Sequence, residues 1–156
     1  MNGSATRTLA VVLATAGGVG YSPVAPGTCG SLIALPLLPA LASLRERSLF
    51  AYLAVFAAVI AGAIWSAGRA EGIFGHDSGR IVVDEVAGMV VAGLFLPGTW
   101  LAATLGFAAF RLFDILKPPP AGAIDRGFRG GLGVVGDDLV AGVYAGIVAR
   151  IILEVT

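Results

Sequence analysis

The sequence predicts an all-α, polytopic membrane domain with a polar site at one membrane face, and three observations lead there. The chain is 57% hydrophobic and 13% charged, half the ~25% charge of an average soluble domain, with a mean hydropathy of +0.91. Its apolar residues fall in long runs, the form that helices take in a bilayer. Its charges are gathered: fourteen of the twenty Lys, Arg, Asp and Glu side chains lie within residues 69–85 and 111–138. Ionised carboxylates beside membrane-length segments are costly unless they pair or bind a cation. Residues 1–156 read as a single domain, because that length leaves nothing for a second core.

Arg7 followed by LAVVLATA has the outline of a signal peptide. One basic residue and a short apolar core fit better a first, partly embedded helix that leads into a glycine/proline loop at 17–31. Residues 30–44 form a short apolar segment carrying Pro36 and Pro39, a kink or a site covered by a neighbouring helix. Residues 48–68 are the clearest span, at about the ~20 residues that a bilayer needs. Residues 139–153 form the last apolar segment, with Arg150 placed to snorkel near its end. Within it Gly142-Val-Tyr-Ala-Gly146 has the small-xxx-small spacing of close helix packing.

Residues 86–113 have two solutions. One helix would be ~42 Å long, but Pro97-Gly98 interrupts it, so a helical hairpin is the alternative. With the N-terminus inside, the hairpin puts Arg7, Arg69, Arg80, Arg111, Lys117, Arg126 and Arg129 on the inner side, against Arg45, Arg47 and Arg150 outside. A single span reverses that bias, to four inside and six outside. Cytoplasmic loops carry the excess of Lys and Arg, so the hairpin is expected, and it brings both charged clusters to one face.

Several function classes are excluded or weakened. Zero net charge argues against a nucleic-acid partner. The lone Cys29 can close no intrachain disulfide and has no Arg six residues on, and the lone His76 rules out two-histidine phosphatase chemistry. The Asp-x-Asp-x-Thr pattern of aspartyl-phosphate phosphatases is missing. Gly131-Leu-Gly133-Val-Val-Gly136 matches a dinucleotide fingerprint literally, but with no strand before it.

The remaining chemistry points to phosphate and a hard cation. Asp84, Glu85, Asp137 and Asp138 offer oxygen ligands of the kind that hold Mg²⁺, although acids at a helix start are also favoured by capping and the dipole. Arg111, Asp114 and Lys117 fall on one helical stripe that Pro118 ends. Asp114 opposes the dipole there, which favours a functional role. Arg111 and Lys117 would hold phosphate or neutralise the nearby acids. Gly27, Thr28, Gly30 and Ser31, in the glycine loop, could cradle an anion, or Ser31 could be a plain N-cap. Arg126 and His76 are phosphate contacts or simple loop residues.

In their order and spacing, ATAGGVGYSPVAPGTCGSL at 14–32, HDSGRIVVDEVAGM at 76–89, FRLFDILKPPP at 110–120 and DRGFRGGLGVVGDDLVAG at 125–142 resemble the phosphatidylglycerophosphatase A family. Val83 and Pro119 depart from it, standing where members often have Trp. The resemblance implies Mg²⁺-dependent conversion of phosphatidylglycerophosphate to phosphatidylglycerol at the cytoplasmic face of the bacterial inner membrane, with a phospholipid substrate and the bilayer as partners. It implies further that Asp84, Glu85, Asp114, Asp137 and Asp138 hold the metal, that Arg111, Lys117 and residues 27–31 bind phosphoryl oxygens, and that a carboxylate such as Asp138 accepts a proton. A phospho-aspartyl route stays open. An ion transporter and a phospholipid-synthesising transferase are the alternatives, the latter without its Asp-Gly-xx-Ala-Arg pattern here.

Overall fold

The computed structural model describes residues 3–75 and 78–155, with the backbone alone at 125 and 126. Among the described residues all regular structure is helical. Helix α1 (Gly3–Ala14) ends where the Ala14 carbonyl accepts a 2.9 Å hydrogen bond from the Val82 N–H. It is the short first helix that the sequence suggested. Helices α2 (Pro26–Ala34) and α3 (Leu37–Arg47) follow, parted at Leu35-Pro36, where proline has no N–H to continue the ladder. Here the expectation needs correction. Gly27, Thr28, Gly30 and Ser31 are not loop residues but lie in the opening turns of α2, because Pro26 at the first helical position starts the helix early.

Helix α4 (Leu49–Phe74) is the longest, 26 residues or ~39 Å, and Ser48 caps it by accepting from the Ala51 N–H at 3.2 Å. The apolar stretch 26–47 and α4 are both long and apolar enough to cross a membrane. Helices α5 (Val83–Ala92) and α6 (Trp100–Leu116) form the expected hairpin, turning at 93–99 around Pro97-Gly98. Thr99 caps α6 by accepting from the Ala102 N–H at 3.2 Å. Lys117 ends α6 in the left-handed region at φ 44°, just before Pro118. A short α7 (Ala121–Gly127) leads to α8 (Gly131–Val155).

The short α5 is the centre of the bundle, packed against α8, α2 and α4, and Ala87 through Ala92 are all buried. Its partner α8 comes close because Gly142 and Gly146 face the Gly88 and Ala92 carbonyls with no room for a Cβ. The small-xxx-small spacing is therefore a real helix crossing. Phe110 from α6 fills the space beside it, fully buried, with Met89 and Leu96. At the hairpin turn the Arg45 guanidinium donates to the Leu94 and Leu96 carbonyls at 2.9 and 3.2 Å. A buried α5 with anchored ends fixes where its first residues, Asp84 and Glu85, must sit.

Candidate active site at the polar end of the bundle

Three chain segments converge at the end opposite the hairpin turn. Asp84 and Glu85 lie in the first turn of α5, where the helix dipole favours acids. Asp114 comes from the last turn of α6, which runs antiparallel and so ends at the same level. Asp137 and Asp138 come from α8, but not from its start. That helix begins at Gly131, so the pair sits in its second turn and both side chains are buried. Capping and the dipole therefore do not explain this pair. All five carboxylates, with Lys117, line one pocket of about 110 Å³, whose remaining wall comes from Ser78, Gly79, Ile81, Gly133 and Val134.

The five acids divide into two groups. Arg111 pairs with Asp114 at 2.7 Å, and Lys117 with Asp137 at 2.7 Å. Asp84, Glu85 and Asp138 have no ion pair among the described residues, yet each offers an oxygen within 4.8 Å of the others. Their contacts do little to relieve this. The Glu85 N–H donates to Asp84 Oδ1 at 3.1 Å, and Glu85 Oε2 is buried with no hydrogen-bond partner.

These three carboxyls stand just on the polar side of the apolar segments 86–113 and 139–153. Burial, then the Glu85 charge, pushes Asp84 well above the usual carboxylate range. Burial, then the Asp114 charge, does the same to Asp138, and burial raises Glu85. Three half-buried or buried carboxylates around an orphaned oxygen form a donor set for a hard divalent cation. Mg²⁺, held by a few carboxylates together with water and a substrate phosphate, matches it. The residues present fit the group.

The α2 residues border this set. A Cβ at Gly27 would meet Glu85 Oε1, the end of a flexible side chain, so a larger residue there would push the carboxylate from its present place. Ser31 is buried and is not an N-cap: its hydroxyl donates to the Gly27 carbonyl at 3.0 Å and accepts from the Arg111 guanidinium at 3.4 Å. Gly30 packs on Val82, which leaves Thr28 as the partly exposed hydroxyl of the group. The opening N–H groups of a helix lack intrahelical partners, and α2 opens with Gly27 beside Glu85 and Arg111. His76 lies outside the described residues, as does the side chain of Arg126.

Sequence reasoning missed the pocket walls at Ser78, Gly79, Ile81, Gly133 and Val134. The signal for the first three was their place in the HDSGRIVVDE block, and for the others the glycine run before Asp137. That run is helical. Gly131 lies against the Ile64 carbonyl of α4 and Gly133 against the Phe128 carbonyl, so the GxGxxG pattern marks close packing.

Comparison with known proteins gives a consistent result. The family model described as phosphatidylglycerophosphatase A matches residues 12–153. A phosphatidylglycerophosphatase A of Escherichia coli K12 is 39% identical over 135 residues, covering 86% of this chain and 77% of that protein. Its namesake in Haemophilus influenzae is 35% identical over 139 residues, covering 88% and 84%. A Bacteroides thetaiotaomicron protein provisionally named a phosphatidylinositol-3-phosphatase is 38% identical over 153 residues, covering 92% of each chain. No solved structure matches the chain significantly. Nearly the whole length, every acidic block included, falls within the match, and the chain belongs to the phosphatidylglycerophosphatase A family.

Proposed function

We propose that the chain is a single-domain, Mg²⁺-dependent phosphatase that converts phosphatidylglycerophosphate to phosphatidylglycerol in phospholipid synthesis. It would act as a multi-pass protein of the bacterial inner membrane, with its site on the cytoplasmic face. Family membership supports hydrolysis of a phosphate monoester. The observation that carries the metal and the location is the Asp84, Glu85 and Asp138 group, with the orphaned Glu85 Oε2, at the polar end of apolar helices. A lipid's terminal phosphate would reach this level while its acyl chains stay among the helices' exposed apolar residues.

In this mechanism Asp84, Glu85 and Asp138 would hold Mg²⁺, and Asp114 and Asp137 would support it directly or through water. When bound, the cation polarises the phosphoryl group and makes water a better nucleophile. The chain's own groups do the rest. Arg111, linked to Ser31, and Lys117 turn toward the equatorial oxygens as their charge redistributes, exchanging part of their present pairing with Asp114 and Asp137. The α2 N-terminus at Gly27 and Thr28 adds N–H donors to the same phosphate, with Gly30 keeping α2 close to Val82. One carboxylate, Asp138 in the first instance, accepts the proton of the attacking water as its oxygen bonds to phosphorus; the ester P–O bond breaks and the proton passes to the leaving glycerol oxygen, releasing phosphatidylglycerol and inorganic phosphate.

The test is inorganic phosphate release from phosphatidylglycerophosphate in mixed micelles, with Mg²⁺ or with chelator. Mg²⁺-dependent release that Asp84→Asn abolishes supports the reading. Folded protein without release contradicts it. The name of the Bacteroides relative warrants a second arm with phosphatidylinositol 3-phosphate, where faster release would change the head group and leave the chemistry standing.

A further inference from the structure

Away from the acidic pocket, the α1–α4 seam carries a feature that the reaction does not use. Near its polar end Arg7 and Arg69 face one groove of about 330 Å³, joined by Thr6. Both arginines are exposed, and neither forms an ion pair among the described residues. Two guanidinium groups that line one groove from different helices offer forked donors and positive charge to an anion seated there. Further along the seam a second groove, of about 380 Å³, is lined only by apolar residues and glycine, among them Leu13, Val59, Gly62 and, at the start of α5 next to Asp84, Val83.

Helical register puts the two grooves on one side of the seam. Gly62 and Arg69 are seven residues apart on α4, as are Thr6 and Leu13 on α1, and a heptad step turns a helix face by only ~20°. The axial distance from Arg69 to Val59 is ~15 Å, about half of a ~30 Å hydrocarbon core. Cationic groups at the top and an apolar groove one leaflet deep beneath them have the profile of a glycerophospholipid.

We propose that this seam is a binding site for an anionic diacyl phospholipid of the surrounding bilayer, distinct from the catalytic pocket. Arg7 and Arg69 share the phosphodiester oxygens, Thr6 donates its hydroxyl, and an acyl chain lies along Leu13, Val59 and Gly62. The site rests on the membrane placement proposed above, but not on the phosphatase chemistry.

The probe is phosphatidylserine, anionic and neither substrate nor product, set against phosphatidylcholine. Delipidated protein in detergent is titrated with each lipid in chelator, and bound lipid is counted by native mass spectrometry. Wild type is expected to prefer phosphatidylserine about tenfold, ~1.4 kcal/mol. The exposed double variant Arg7→Gln/Arg69→Gln should bind the two lipids alike. A Cβ at Gly62 meets nothing within 4 Å, so Gly62→Trp fills the groove without a backbone clash and should weaken both lipids. Wild type without a preference, a double variant that keeps it, or unaltered binding in Gly62→Trp would each overturn the proposal. Phosphate release by a protein lacking the preference would remove this site and leave the phosphatase reading intact.

Discussion

The two ends of the α5–α6 hairpin treat buried polar groups in opposite ways. At the turn, the Leu94 and Leu96 carbonyls receive the Arg45 guanidinium, whose face also lies over the Tyr52 ring at 5.9 Å. Both carbonyls have a charged donor there. At the other end Arg111 and Lys117 neutralise two of five carboxylates, while Asp84, Glu85 and Asp138 face one another around an oxygen without a partner. The first arrangement stabilises the fold. The second costs stability, and the chain belongs to a family whose name is a reaction. A helical membrane protein can thus separate scaffold from chemistry along one short buried helix.

Charge removal should therefore act oppositely at the two ends. The largest effect is expected from Asp138→Asn or Asp84→Asn, which should lower phosphate release at least ~10²–10³-fold, the scale of losing one preorganised electrostatic contact. In chelator the same variants should melt no lower than wild type, because each removes a carboxyl whose ionised form burial and the neighbouring acids already disfavour. Next comes Gly142→Val, which drives a branched side chain into the Gly88 carbonyl. Destabilisation of ~1–3 kcal/mol or more is expected from such overpacking, read as a lower melting temperature in detergent. Arg45→Ala should cost ~1–3 kcal/mol by leaving two turn carbonyls without their donor, with a far smaller loss of activity than the site variants show. Arg150→Ala breaks only the exposed pair with Glu154 at 2.7 Å. It should change stability by under ~0.5 kcal/mol.

Much of this division could be read in the sequence. Pro97-Gly98 and the arginine bias gave the hairpin, and the hairpin alone requires Asp84-Glu85 and Asp114 to meet at one end. The pairing within the five acids was not visible, because it depends on the rotation of α6 and α8 about their axes. Glycine hid two helix starts. Gly27 and Gly30 read as loop, and Asp137-Asp138 read as a helix start although α8 begins at Gly131, since glycine is among the poorest helix formers. Their reason lies in tertiary approach: Gly27 to the Glu85 carboxylate and Gly131 to the α4 backbone. Gly27→Ala sharpens this point. It should lower activity about tenfold with a smaller change in melting temperature, as the Glu85 carboxylate is pushed from its place.

The measurement that bears most directly on the unmatched acids is Mg²⁺ binding by calorimetry to protein stripped of metal in detergent. Wild type is expected to bind saturably, and Asp138→Asn to lose that binding while keeping its fold and its Arg45 contacts. Folded wild type that takes up no Mg²⁺, or an Asp138→Asn variant that binds it unchanged, would contradict the account.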